Sequence, residues 1–138
     1  MLAKYHYAVL IHEQAKKYGT KPVITFRNFG SLEWKTVSWN QFSMRVKQVS
    51  NALINLGLKS QEKIAVFAQN CIQYLYTDFG AYGVRVTTIP FYASSSEQQI
   101  QYMIQDASVR FVFVGEQEQY DKAHRILPLC PTLERIII

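Results

Sequence analysis

Cysteine is almost absent from this chain, and that scarcity already narrows the reading. The two residues present, Cys71 and Cys130, are far apart. They form no C-x-x-C pair and have no histidine at ligand spacing, which excludes a disulfide scaffold and a zinc module. Both are expected to stay reduced in a cytoplasmic setting. Charge of one sign is also thin. The net charge of +5 is modest and dispersed, with its densest group at Lys16, Lys17 and Lys21, where lysines suit the carboxyl end of a helix. No basic run is interleaved with aromatics, so nucleic acid is not an expected partner. Long hydrophobic runs are missing, and Met1 leads into an amphipathic segment with no apolar signal core. The expectation is a soluble, cytoplasmic chain without a transmembrane segment, compatible with peripheral membrane contact.

The common signatures of chemistry are missing as well. Neither G-x-G-x-x-G nor G-x-x-x-x-G-K-[ST] occurs, so the usual phosphate-cradling loops are excluded, and no G-x-S-x-G elbow surrounds a serine. The run Ser94-Ser95-Ser96 has no glycine to admit a phosphate and no following lysine, so helix capping is the expected role. Asp78 and Asp106 lie in or at the end of helical segments, and nothing in their spacing pairs them for acid–base work. His6, His12 and His124 are scattered and read as surface or helix-end residues. The tyrosines fall mostly on helices, where amphipathic packing accounts for them.

What is present is a well-marked scaffold. Hydrophobic residues make up 49% of 138 residues, enough for one domain with a core. Tyr7, Ile11, Ala15 and Tyr18 share a helical face that Gly19 closes. Pro22–Arg27 and Trp34–Trp39 are rich in strand formers and flank Asn28, Phe29, Gly30 and Ser31, which predicts a hairpin. Ser38 and Gln41 form a capping box before Phe42, Val46, Val49, Leu53 and Leu56, a core-facing stripe ended by Gly57. Lys63–Ala68 reads as a strand covered on both faces, followed by a helix with Ile72, Leu75, Phe79 and Gly83 inward and Asn70 as its N-cap.

The stretch Phe79–Gln105 organises the rest. Gly80, Ala81 and Gly83 are expected to let a helix lie close to a sheet, with Gly83 suited to a left-handed close. Val86–Ile89 then favour a strand that Pro90 ends. Ser94 with Glu97, or Ser95 with Gln98, is expected to cap the next helix, whose inner face is Ile100, Met103, Ile104 and Ala107. Phe111–Val114 form a strand ended by Gly115. Tyr120, Ala123, His124 and Leu127 mark a helix stopped by Pro128 and Pro131. The fold class is therefore α/β, a mostly parallel sheet with helices on both faces and a β-hairpin appended near the N-terminus. Ile136-Ile137-Ile138 leaves a final apolar strand uncovered, which predicts an incomplete piece of a longer protein, prone to self-association.

Several motifs in succession resemble the adenylate-forming superfamily. They are Thr36-Val37-Ser38-Trp39-Asn40-Gln41-Phe42, Ala52-Leu53 with Leu56-Gly57, Glu62–Phe67 with Asn70, and Gly80-Ala81-Tyr82-Gly83 leading to Ile89–Ala93. The runs Tyr92–Tyr102 and Phe113–Lys122 are similar to its long-chain fatty acyl-CoA ligase branch. One departure is local: where the family has Gly-Asp before the Lys63 strand, this chain has Gln61-Glu62. The resemblance implies that residues 1–138 are the N-terminal portion of an AMP-binding domain, incomplete at its C-terminal end. It implies a whole enzyme that uses ATP, Mg²⁺ and CoA to convert a fatty acid to acyl-AMP and then to its CoA thioester. The family's Ser/Thr/Gly-rich phosphate loop, Mg²⁺-holding Glu, ribose-holding Asp and C-terminal Lys fall later than Ile138. No catalytic, cofactor-binding or metal residue is carried over, and the piece itself is expected to be inactive and to bind no cofactor. The alternative is a free-standing flavodoxin-like α/β binding or interaction module without catalytic activity.

Overall fold

A computed structural model of the chain describes residues 6–27 and 31–138. They form two compact units. The first comprises residues up to 58 together with 71–85, and the second residues 59–70 together with 86–138. Among the described residues no helix is long and apolar enough to cross a membrane.

The first unit holds helix α1 (Tyr7–Tyr18), strands β1 (Pro22–Arg27) and β2 (Trp34–Ser38), and helices α2 (Trp39–Asn55) and α3 (Ile72–Gly83). Each boundary has a local cause. His6 Nδ1 accepts the Ala8 N–H at the start of α1, and Gly19, at φ +53°, ends it. The strands pair antiparallel with a bulge between Pro22 and Ile24, and the expected turn residues Asn28–Gly30 lie outside the described residues. The Ser38–Gln41 capping box is complete: the Ser38 N–H donates to Gln41 Oε1 at 2.8 Å and the Gln41 N–H to Ser38 Oγ at 3.3 Å. At the other end Gly57 takes φ +79°. The Leu58 and Gly57 N–H groups reach back to the Leu53 and Ile54 carbonyls, a Schellman close. Ile11, Phe42 and Val46 form the core, with Val23, Ile24, Val37, Trp39, Leu75, Tyr76 and Phe79 packed against it.

The glycines of α3 serve a helix–helix approach, not the helix–sheet approach expected from sequence. A Cβ on Gly80 would lie 2.6 Å from Val49 Cγ1, and one on Gly83 would lie 2.6 Å from Ser50 Oγ. The Ser50 hydroxyl donates to the Gly80 carbonyl at 2.7 Å. Backbones this close admit no side chain. Two further expectations for α3 are corrected. Gly83 remains helical, and Arg85 supplies the left-handed residue at φ +59°. Cys71, not Asn70, occupies the N-cap position because the extended backbone falls there, and it makes no side-chain cap bond.

The second unit is built on four parallel strands, β3 (Lys63–Phe67), β4 (Thr87–Phe91), β5 (Phe111–Val114) and β6 (Arg135–Ile137), in the order β4-β3-β5-β6. Helix α4 (Glu97–Ala107) and helix α5 (Gln117–Ile126), the latter continued by a 3-10 turn through Pro128, complete it. One sheet face packs Ala65, Phe67, Phe91, Val112 and Val114 against Ile100, Ile104, Ala123 and Ile126. Ile64, Val66 and Phe111, on the other face, are also buried. The continuous apolar runs of β3 and β5 thus match strands hidden on both sides.

Pro90 does not end β4, which runs on to Phe91, paired with Phe67. The Thr87 N–H donates to Glu62 O, so by alternation the nitrogens of residues 88 and 90 face away from β3. On an edge strand that outward position tolerates proline. The cap of α4 lies one or two residues later than expected: Ser96 and Gln99 form the box. The Ser95 N–H is engaged by Tyr92 O in the preceding turn.

The amino ends of three strands meet at Arg110. Its Nε and Nη2 donate to the two oxygens of Glu134 at 2.8 and 3.0 Å, and its Nη1 donates to the Glu62 carboxylate. The Lys59 N–H and then Arg110 hold the Glu62 carboxyl below the usual range, and Arg110 does the same to Glu134. Just before Glu62, Gln61 stands at φ +71°. The turn before β3 therefore holds a side chain in the left-handed region.

This corner of the sheet yields a backbone prediction and an ionic one. Gln61→Gly relieves the left-handed strain and is expected to raise stability by about 0.5–1 kcal/mol in denaturant unfolding; a loss would show that the Gln61 side chain contributes more than its strain costs. The second concerns pH. Carboxylates with lowered folded pKa values stabilise the fold above the ordinary carboxylate range and lose that contribution as pH falls through the folded values. Arg110→Gln is therefore expected to destabilise the protein at pH 7 and to matter progressively less as both carboxylates protonate. An equal penalty at neutral and strongly acid pH would rule out this ionic origin.

Candidate functional site at the carboxyl edge of the parallel sheet

In open parallel sheets ligands bind beyond the carboxyl ends of the strands, where successive connections leave in opposite directions. Here the chain passes from β3 to β4 on one side and from β5 to β6 on the other. The switch point therefore lies between the carboxyl ends of β3 and β5, at Ala68-Gln69-Asn70 and Gly115-Glu116-Gln117.

The geometry of this edge comes from small residues and one buried amide. The Gly115 N–H donates to Phe67 O at 3.1 Å. A Cβ on Gly115 would lie 2.7 Å from Ala68 Cβ and 3.2 Å from Ala68 Cα, so the two segments touch backbone to side chain. Beside them Gln119, in the first turn of α5, is 1% exposed. Its Nε2 donates to Ala93 O at 3.1 Å, tying α5 to the segment that follows β4. Gln119 Oε1 is buried without a hydrogen-bond partner, a cost of about 1–3 kcal/mol for such a group. Arg125 pairs with Glu97 at 2.7 Å, a further tie from α5, here to the start of α4.

The residues weighed from sequence go elsewhere. Ser96 caps α4, and Ser95 is buried in the preceding turn. Asp78 accepts from Tyr82 Oη at 3.0 Å; burial first, then this carboxylate, pushes the Tyr82 phenol up to about 12. Asp106 sits in the last turn of α4. His12 Nδ1 lies 2.6 Å from Ser43 Oγ, and His124 stacks on Tyr120. Cys71 and Cys130 are free thiols, and burial pushes the Cys130 thiol up. Among the described residues no group of three or more His, Cys, Asp or Glu side chains could hold a metal ion. The switch point thus brings together the Gln69, Asn70 and Gln117 amides, the Glu116 carboxylate and the tight Gly115–Ala68 approach. Sequence reasoning missed Gln119. Its signal is the spacing Gln119, Ala123, Ile126, a polar member on an otherwise apolar helical stripe.

The tight turn is directly testable. Gly115→Ala is expected to cost about 1–3 kcal/mol by overpacking. Ala68→Gly in the same chain should recover part of it, leaving the close approach to the Ala68 backbone unrelieved. Simple additivity of the two changes in a double-mutant cycle would show that the residues do not press on one another.

Comparison with known proteins agrees with the architecture. Among curated relatives, long-chain-fatty-acid–CoA ligase heimdall of Drosophila melanogaster is 23% identical over 127 residues, covering 91% of this chain and 19% of that protein. Long-chain-fatty-acid–CoA ligase ACSBG1 of Bos taurus is 26% identical over 123 residues, covering 88% and 16%. The chain therefore spans about a fifth of the length of these relatives. Of solved structures, a long-chain-fatty-acid-CoA ligase (FadD1) from Archaeoglobus fulgidus superposes with a TM-score of 0.87 at 20% identity, over 98% of this chain and 27% of that one. The anthranilate CoA ligase AuaEII superposes at 0.86 and 19% identity, over 97% and 25%. These likenesses establish the shared fold. The family model for the AMP-binding enzyme matches residues 11–138, nearly the whole chain, and the chain belongs to that family.

Proposed function

We propose that the whole protein containing this chain is an ATP-dependent long-chain fatty acid–CoA ligase. It would activate the carboxylate with ATP and Mg²⁺ to an acyl-adenylate and pass the acyl group to CoA. In this reading residues 1–138 supply part of the N-terminal domain and contribute no catalytic, cofactor-binding or metal residue. The observation that carries it is the family match over residues 11–138, joined to relatives named as long-chain ligases along most of this chain. The fold alone does not choose the substrate, since an anthranilate ligase superposes nearly as well as a long-chain one. A cytoplasmic setting fits the two free thiols.

The test is thioester formation by the intact protein across a series of acids. An apolar tunnel gains about 0.8 kcal/mol per buried methylene, close to fourfold in affinity. Catalytic efficiency should therefore rise with chain length and flatten once the tunnel is full. A maximum at acetate or butyrate, or activity confined to aromatic acids, would move the protein to another branch of the family.

A further inference from the structure

Helix α3 sets one carboxylate among aromatic rings. Tyr74, Asp78 and Tyr82 follow one another a helical turn apart, so they share a face. The Tyr82 hydroxyl donates to Asp78 Oδ2 at 3.0 Å. From α1, Tyr7 lays its ring on Tyr82, the centroids 5.8 Å apart and the planes 28° off parallel. Phe79 meets both rings edge to face, 6.1 Å from Tyr7 and 5.8 Å from Tyr82. Burial first, and then Asp78, raises the Tyr74 phenol. At Tyr82 the phenols of Tyr7 and Tyr74 add to the rise that burial and Asp78 begin. The three hydroxyls and the carboxylate thus lie within electrostatic reach of one another.

Packing alone leaves two features of this cluster unused. Asp78 is half-buried, and among the described residues no lysine, arginine or histidine pairs with it. Tyr7, although stacked, is 59% exposed, so part of its ring is open. A carboxylate without a counter-ion beside open ring faces suits a cation. The kind of cation follows from what is missing. A metal ion takes several oxygen ligands, and no group of three His, Cys, Asp or Glu side chains is available among the described residues. A primary ammonium has three donors and strong hydration, too many for one carboxylate already engaged by Tyr82. A quaternary ammonium has no N–H to satisfy, and its charge lies on methyl groups that rest on ring faces. We propose that Asp78 with Tyr7, Tyr74 and Tyr82 binds a quaternary ammonium group of the choline type. Its methyls lie against the Tyr7 and Tyr82 rings, and Asp78 is the counter-charge. Such binding needs neither ATP nor turnover, so it is independent of the ligase reading.

The experiment is a saturation-transfer NMR titration of the intact protein with choline chloride, without ATP or fatty acid, read on the choline methyl protons. Saturable binding is expected, weakening with salt. Tyr7→Leu should lower the affinity about two- to fivefold, the worth of an exposed cation–π contact. Tyr7→Phe, which keeps the ring, should retain it. Asp78→Asn should lower it by about two- to fivefold as well. The neutral isostere, in which carbon replaces the choline nitrogen, should bind about tenfold more weakly than choline. An unchanged Tm for Tyr7→Leu shows that its loss is not unfolding. Absence of saturable choline binding, an isostere that binds as well as choline, or affinity indifferent to both Tyr7→Leu and Asp78→Asn overturns the proposal. Flotation on phosphatidylcholine vesicles identifies the source of the group. Flotation that free choline competes away assigns a lipid headgroup, and choline binding without flotation assigns a free cation; both uphold the ammonium chemistry.

Discussion

The pairing of β3 with β5 is the interaction on which the second unit depends. It joins segments more than forty residues apart in sequence, Ile64 opposite Phe111 through Phe67 opposite Val114, so the closure entropy of a long loop opposes it. Different chemistry secures each end of the pair. At the amino end, Arg110 bridges Glu62 and Glu134 while its N–H donates to Lys63 O. At the carboxyl end, Gly115 seats against Ala68 at a distance no side chain would permit. Directional ionic bonds set the register at one end, and steric fit closes the other. Between them the buried side chains of both strands supply the apolar area that makes the pairing favourable.

The first unit solves a different problem, packing two helices without a sheet between them. Gly80 and Gly83 remove volume from α3 where α2 carries Val49 and Ser50. Ser50 then uses the proximity to hydrogen-bond the Gly80 carbonyl. A serine donating to a carbonyl already within a helix adds cross-helix specificity at little cost, since the carbonyl has a second lone pair. Around this crossing Phe42, Tyr76, Phe79 and Tyr82 pack edge to face or tilted, the arrangement that aromatic quadrupoles favour.

How far the sequence is legible follows the range of the interactions. Capping and amphipathic signals are local, and they locate the helix ends where a single residue competes for the position, as at Ser38 and Gly57. Where three serines in a row offer equivalent caps, the choice falls to tertiary structure: the turn from Tyr92 engages the Ser95 N–H and leaves Ser96 to cap α4. Pro90 misleads because its effect depends on whether its strand lies at an edge, which only the strand order decides. The α3 glycines announce a close approach but not its partner. Arg110, Glu62 and Glu134 carry no local signal, since they converge from three separate strand starts. Gln119 is hidden from a stripe reading that selects apolar residues.

The residues that carry the family resemblance turn out to carry architecture. Ser38 and Gln41 cap α2, Leu56-Gly57 closes it, and Gly80 admits α2 against α3. Ala93, inside one of the two runs similar to the long-chain branch, supplies the carbonyl that Gln119 holds, and Gln119 itself lies in the other. At the departure, Gln61-Glu62, Gln61 takes a left-handed backbone, the conformation that favours glycine. These positions are constrained by φ, by packing distance or by a buried hydrogen bond, so each admits few residue types whatever the substrate. A fold shared with both a long-chain and an anthranilate ligase is what such constraints preserve. Membership in the family is thus written into the scaffold. On the proposed ligase reading, the choice of acid would fall to side chains under no such backbone constraint, free to change while the frame that positions them stays fixed.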